Sequence, residues 1–206
     1  MQSNTLVINL FAGPGAGKST LAAGIFFRIK CLGVNAELAP EYAKDLVWEE
    51  SLKKLENQIY VFGKQHHRMH RLLGKVDILI ADSPLPLSWV YEKLRRELLG
   101  ISGTDTLKKL ILEEFNAMNN INFFLNRMNK YEPTGRTQKN IQEAILVDNR
   151  IKQILNEENI PYHEVDVIEQ DNEDLLLGKS ETIDNIMSRI PKTYLPLWVS
   201  QKPNFR

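Results

Sequence analysis

Ten residues near the start of the chain, Phe11-Ala12-Gly13-Pro14-Gly15-Ala16-Gly17-Lys18-Ser19-Thr20, follow directly on the apolar run Leu6 to Leu10. Gly13, Gly15 and Gly17 leave the backbone free to curl, so that successive N–H groups converge and form an anion nest. Lys18 adds a positive charge, Ser19 a hydroxyl suited to Mg²⁺, and a helix opening at Lys18 the positive end of its dipole. This is the strand, turn and helix of a P-loop, G-x-x-x-x-G-K-[ST], completed by Pro14, Ala16 and Thr20. The strict pattern has glycine where this chain has Ala12, a small residue that costs little if its φ stays negative. The expectation is a nucleoside triphosphate, ATP with Mg²⁺, cradled by residues 13–20, with Lys18 on the β- and γ-phosphates.

A P-loop needs parallel strands beside it, and the rest of the chain supplies them. Apolar periodicity and turn residues predict strands over 6–11, 34–39, 77–81, 121–125 and 162–167. Helical patterns separate them over 18–32 (Gly33 as the stop), 42–74 (broken near Glu56 and Asn57), 86–98, 105–118, 138–159 and 181–190. The alternation implies an α/β fold: one P-loop domain over 1–190, with a five-stranded parallel sheet covered by helices on both faces and a small lid loop over about 126–138. The tail, 191–206, reads as extended. At 206 residues the chain suits one domain, and its 26 basic and 26 acidic side chains weigh against a general attraction to nucleic acid. No apolar run approaches the ~18 residues of a membrane span, and the short polar start argues for a cytoplasmic protein. The single cysteine, Cys31, provides no disulfide framework and reads as core packing.

Ligands of such sheets sit beyond the carboxyl ends of the strands, where Glu41, Asp82 and Arg127 also fall. Glu41 can orient and deprotonate an acceptor hydroxyl opposite the γ-phosphate, or serve only as a first-turn helix acid. Asp82, closing a buried strand, is a candidate Mg²⁺ ligand with Ser19, or a simple cap. The loop 126–138 brings Arg127, Lys130 and Arg136; Arg136 first and Arg127 second are candidates for placing charge on a transferring phosphoryl group. On the helix before the third strand, Gln65 and Arg68 are candidates to contact the acceptor. His66 and His70 share a helical face but lack the Glu of H-E-x-x-H and a third ligand. Trp48, Tyr60, Phe62 and Trp89 can stack on a ring or fill the core.

Together these segments resemble the P-loop kinase family that includes the nicotinamide riboside kinase domain of bacterial bifunctional NAD-synthesis regulators and its phage-encoded relatives. The resemblance covers about residues 6–168 and implies a single-domain P-loop kinase fold, a nucleotide kinase-like domain over 1–190. Beyond the P-loop it rests on Pro40-Glu41-Tyr42-Ala43-Lys44, Phe62-Gly63-Lys64-Gln65, Ile80-Ala81-Asp82-Ser83 and Glu157-Glu158-Asn159-Ile160-Pro161-Tyr162. The loop Tyr131-Glu132-Pro133-Thr134-Gly135-Arg136-Thr137-Gln138 looks most like the phage relatives. Deoxynucleoside kinases similarly place a Glu after the second strand and a Gln in the third helix. The resemblance implies ATP- and Mg²⁺-dependent transfer of the γ-phosphoryl group to a hydroxyl of a nucleoside-like or nucleotide-like acceptor. Two alternatives stay open: a kinase acting on a 5-hydroxymethyl pyrimidine in DNA, which the balanced charge disfavours, and a nucleotide-dependent NTPase or switch acting through a protein partner. A homo-oligomer also stays open.

Overall fold

The computed structural model describes residues 4–103, 105–127, 140–167 and 175–196, with the side chains of 175–178 left aside. The strands are β1 (Leu6–Phe11), β2 (Ala36–Ala39), β3 (Ile78–Ala81), β4 (Asn119–Asn126) and β5 (His163–Asp166). They form one parallel sheet in the order β2-β3-β1-β4-β5, as the alternating pattern predicts. The helices between them are α1 (Lys18–Cys31), α2 (Tyr42–Trp48), α3 (Leu52–Leu55), α4 (Gln58–His70), α5 (Pro86–Leu99), α6 (Thr106–Asn116) and α7 (Ile141–Glu157). Helix α8 (Leu175–Arg189) follows β5, and no helix among the described residues is long and apolar enough to cross a membrane.

The central strand shows why the sheet is covered twice. Every residue of β1 is buried, and successive side chains enter opposite cores. Leu6, Ile8 and Leu10 pack with Leu21, Ile25 and Ile29 of α1 and Ile183 and Ile186 of α8. Val7 and Phe11 pack on the other face with Met69 of α4, Val90 of α5, Phe115 of α6 and Ile151 of α7. Asn9 is the exception, fully buried and donating from Nδ2 to Asn122 Oδ1 at 2.9 Å and Asn120 Oδ1 at 2.8 Å. Asn9 lies opposite Asn122 in the register, so this amide contact pins β1 against β4, where a one-residue slip would turn it to the other face.

Several boundaries differ from the sequence expectation, each for a local reason. Strand β4 starts at Asn119, because Asn119 and Asn120, polar residues just ahead of the expected strand, pair with Leu6 and Val7 of β1. The helical stretch 42–74 breaks twice: at Glu50, whose φ is 54°, and at Asn57, which caps α4 by accepting from Tyr60 N–H at 3.2 Å. Helix α8 begins at Leu175 instead of 181, despite Gly178. It lies so close to α1 that a Cβ on Gly24 would sit 2.4 Å from Ile183 Cδ1. Cys31 is exposed, not core, since it is turned about 200° around α1 from the buried Ile29. The start of the tail forms a 3₁₀ turn at Lys192–Tyr194 instead of an extended strand. Tyr194 hydroxyl accepts from Asn119 Nδ2 at 2.7 Å and donates to Asn4 C=O at 3.1 Å, tying this turn to the amino-terminal edge of the sheet.

Candidate active site

The turn after β1 takes the conformation the glycines allow. Gly15 and Gly17 have φ of 78° and 87°, the left-handed values that curl the loop, while Ala12 is fully buried and is not among the positive-φ residues. Alanine therefore replaces the first glycine of the motif without backbone strain. Gly13 is required for space instead: a Cβ there would lie 2.8 Å from Asp148 Oδ1 and 2.9 Å from Ala144 C=O.

The carbonyls of such a turn need donors of their own, which the sheet does not supply. Lys18 Nζ donates to Ala12 C=O at 2.8 Å and Gly13 C=O at 3.1 Å. Arg127 Nη2 donates to Pro14 C=O at 2.8 Å. Gly13 N–H donates to Asp148 Oδ1 at 2.5 Å, and Asp148 Oδ2 accepts from Arg127 Nε at 2.5 Å. Arg127 and Asp148 are thus a buried ion pair braced against the outer side of the loop. Asp148 escaped the sequence reading, although a charge on the apolar stripe Ala144, Val147, Ile151 and Ile154 of α7 is a signal of a buried polar role.

Asp82, which follows β3, is 4% exposed and accepts from Ser19 Oγ at 2.6 Å through Oδ2, while Oδ1 is buried with no hydrogen-bond partner. A buried carboxylate oxygen without a donor, next to a hydroxyl, suits a hard divalent cation, and Ser19 with Asp82 would hold Mg²⁺ here. Among the described residues no group of three or more His, Cys, Asp or Glu is arranged to hold a metal. His66 instead contacts Glu114 through Nε2 at 2.9 Å, with the His70 ring 5.3 Å from its own.

Glu41 precedes α2, where Pro40 ends the second strand, and it faces the same cavity as the P-loop. This cavity, about 250 Å³, has Gly15, Lys18 and Ser19 on one side and Glu41, Lys44 and Val47 on another. Leu55, Gln58, Val61, Ser83, Leu87, Ser88 and Tyr91 close it. Lys44, one turn after Glu41 on α2, was legible from its spacing; Gln58, Ser88 and Tyr91 had no motif to mark them.

Gln65 and Arg68 do not line this cavity. Gln65 is 2% exposed and its Oε1 accepts from Tyr42 N–H at 2.9 Å. Arg68 donates to Pro40 C=O at 3.3 Å, pairs with Asp45, and stacks its guanidinium 4.9 Å over the Tyr42 ring. Both side chains grip the turn that presents Glu41. The Tyr42 hydroxyl, 2.8 Å from that of Tyr60, is pushed up to about 12, chiefly by this hydrogen bond, and stays protonated at neutral pH. Phe62 and Trp89 are core residues and Trp48 is exposed. Arg127 is turned to the back of the P-loop; Lys130 and Arg136 lie outside the described residues.

Residues 7–171 match the AAA domain family. The chain belongs to that family. No curated protein matches this AAA domain by sequence. Among solved structures it is similar to deoxyadenosine kinase from M. mycoides with dCMP and dCDP bound, at 18% identity and a TM-score of 0.59, over 90% of this chain and 98% of that one. It is similar to NadR protein in complex with NAD and AMP-PNP, at 16% identity and a TM-score of 0.62, over 89% of this chain and 49% of that one. It also matches thymidylate kinase from Ehrlichia chaffeensis, at 14% identity and a TM-score of 0.52, over 88% and 97%. The fold of this AAA domain is therefore that of P-loop kinases, and the chain spans about half of NadR.

Proposed function

We propose that this AAA domain is a kinase that transfers the γ-phosphoryl group of ATP to a hydroxyl of a nucleoside-like or nucleotide-like acceptor. One observation supports this above others: the P-loop and Glu41 line one cavity. Lys18 binds the donor phosphates; Glu41 orients the acceptor hydroxyl and takes its proton as the oxygen attacks phosphorus and ADP departs. Lys18, with Arg136 of the segment that follows β4 in sequence, offsets charge on the transferring group. Mg²⁺ bound by Ser19 and Asp82 would screen the phosphate oxygens. Most of the acceleration then comes from positioning and fixed charge.

The cavity wall favours a nucleoside among acceptors. Val47, Leu55, Val61 and Leu87 are apolar, and Gln58, Ser83, Ser88 and Tyr91 are neutral polar groups able to fix a ring and a sugar. The similar structures agree in chemistry, since deoxyadenosine kinase holds dCMP and a NadR structure holds NR. The test is a screen of labelled ATP against nucleosides, nucleoside monophosphates, nicotinamide riboside and DNA containing 5-hydroxymethyl pyrimidine, alongside Glu41→Gln. Label on a nucleoside-class acceptor is expected, with Glu41→Gln cutting transfer by about a hundredfold or more while ATP still binds. Hydrolysis of ATP with no acceptor labelled would overturn the reading in favour of an NTPase switch, and label on DNA alone in favour of a DNA-modifying kinase.

A further inference from the structure

The backbone of the P-loop is held by Lys18 and by two further groups, Asp148 and Arg127, that take no step in the proposed reaction. The Ala12–Gly13 peptide is held at both edges, its C=O by Lys18 and its N–H by Asp148. The next free carbonyls belong to Gly13, which Lys18 also takes, and to Pro14, which Arg127 takes. When Lys18 turns to a phosphate it leaves Ala12 and Gly13, and the outer edge of a glycine-rich loop is left to Asp148 and Arg127. The side chains of this pair are only 12% and 7% exposed. The charge balance has a second consequence. Asp148 places a carboxylate directly behind a site built for anions, which is tolerable only because Arg127 neutralises it at 2.5 Å.

We infer that Arg127 and Asp148 are a positioning pair that fixes the shape of the P-loop, and that Arg127 acts through the loop and not on the transferring phosphoryl group. The inference rests on the proposed reading only in that the P-loop holds a nucleotide. It reassigns Arg127, whose place after β4 makes it a candidate to contact the phosphoryl group, because its side chain is committed to Asp148 and Pro14 and does not line the cavity.

The test is titration of the folded protein with the fluorescent nucleotide mant-ADP, together with kcat for transfer, or for ATP hydrolysis if no acceptor is found. Arg127→Ala leaves a buried carboxylate unpaired behind the phosphates and should raise Kd by about tenfold or more, with kcat at saturating ATP changed by less than about threefold. Arg127→Lys should be intermediate, because one ammonium cannot reproduce the fork between Asp148 and Pro14. The decisive variant is the double, Arg127→Ala with Asp148→Asn, which removes the stranded charge but keeps an oxygen for Gly13 N–H. It should bind mant-ADP more tightly than Arg127→Ala alone. An unchanged Kd with kcat down by about a thousandfold would overturn the inference and make Arg127 a phosphoryl-contacting residue. A lowered Tm with Kd and kcat unchanged would overturn it in favour of a purely structural pair. If Arg127→Ala does not fold, Arg127→Lys and Asp148→Asn carry the same comparison. Wild type that binds mant-ADP but labels no acceptor would remove the kinase reading and leave this inference standing.

Discussion

Replacing Gly13 by alanine tests the P-loop geometry at its tightest point. Gly13 does not have a positive φ, so the added methyl meets no backbone penalty, only crowding. Its Cβ would stand 2.8 Å from Asp148 Oδ1, 2.9 Å from Ala144 C=O and 3.2 Å from Arg127 Nη2. Restoring an ordinary contact of ~3.5 Å requires the loop to retreat by about 0.7 Å. The Gly13 N–H bond to Asp148, now 2.5 Å, would then stretch to the weak end of its range. Overpacking costs about 1–3 kcal/mol, and weakening a hydrogen bond to a charged group up to about 1.5–3 kcal/mol. A combined loss of roughly 3–5 kcal/mol, divided between stability and nucleotide affinity, is expected. Thermal unfolding and mant-ADP titration measure the two shares. Adding Asp148→Gly removes one of the close contacts but leaves Ala144 C=O in place and strands Arg127 and the Gly13 N–H, so it should not recover the wild-type values. A Gly13→Ala protein with wild-type Tm and wild-type affinity would refute the packing argument, and full rescue by Asp148→Gly would refute the part assigned to Ala144.

Two further perturbations address the acceptor side and the scaffold. Arg68→Ala removes the bonds to Pro40 and Asp45 and the stacking on Tyr42, loosening the turn that presents Glu41; kcat should fall about tenfold while mant-ADP affinity stays at the wild-type value. Glu92 on α5 is 5% exposed and takes hydrogen bonds from Arg95 at 3.0 Å and Arg96 at 2.7 Å. Burial alone would push its carboxyl up, but the two arginines outweigh it and hold the group below the usual carboxylate range. A depressed folded value means that the stability it adds is complete above the unfolded carboxyl's pKa and is lost as pH falls through the folded one. Urea midpoints measured between neutral and acid pH should therefore drop more steeply for wild type than for Glu92→Gln, and Glu92→Ala should cost about 1.5–3 kcal/mol at neutral pH.

The parts of the site that reside in one local pattern were legible in the sequence. The P-loop announces itself by glycines and a lysine at fixed spacing, and Glu41 and Asp82 by standing where apolar strands end, so the rule that ligands gather at strand carboxyl ends brought them together. What could not be read depends on contacts between distant segments. The sequence makes Gln65 and Arg68 candidates for the acceptor because they lie on the helix before β3, yet Gln65 holds the backbone of Tyr42, and Arg68 the Pro40 carbonyl, Asp45 and the Tyr42 ring, contacts that the sequence pattern does not reveal. Asp148 is 135 positions from the glycine it holds. Cys31 misled for the opposite reason: its residue type suggests burial, but the turn of α1 decides otherwise.

The sheet order explains why these groups form one site at a workable separation. Strand β3 lies between β1, which leads to the P-loop, and β2, which leads to Glu41. In register, Ala39 and Asn9 both pair with Ala81, so Pro40 and Asp82 extend side by side from the same edge while the P-loop rises beyond it. Adjacent strands lie about 4.8 Å apart, which sets the P-loop and the turn of Glu41 roughly 10 Å from each other with Asp82 midway. That gap suits the proposed reaction, with a terminal phosphate and an attacking hydroxyl in line, and the candidate cation ligand Asp82 is hydrogen-bonded to Ser19 of the P-loop. Side chains from outside the sheet then fix each turn: Gln65 and Arg68 of α4 hold the one that presents Glu41, and Arg127 with Asp148 the one that holds Lys18. The geometry between the two halves is thus fixed by backbone spacing, and the angle of each half by a small number of buried polar contacts. Substitutions at those contacts should separate nucleotide affinity from turnover, whereas truncating the apolar residues of β3 should lower both by unfolding the frame they share.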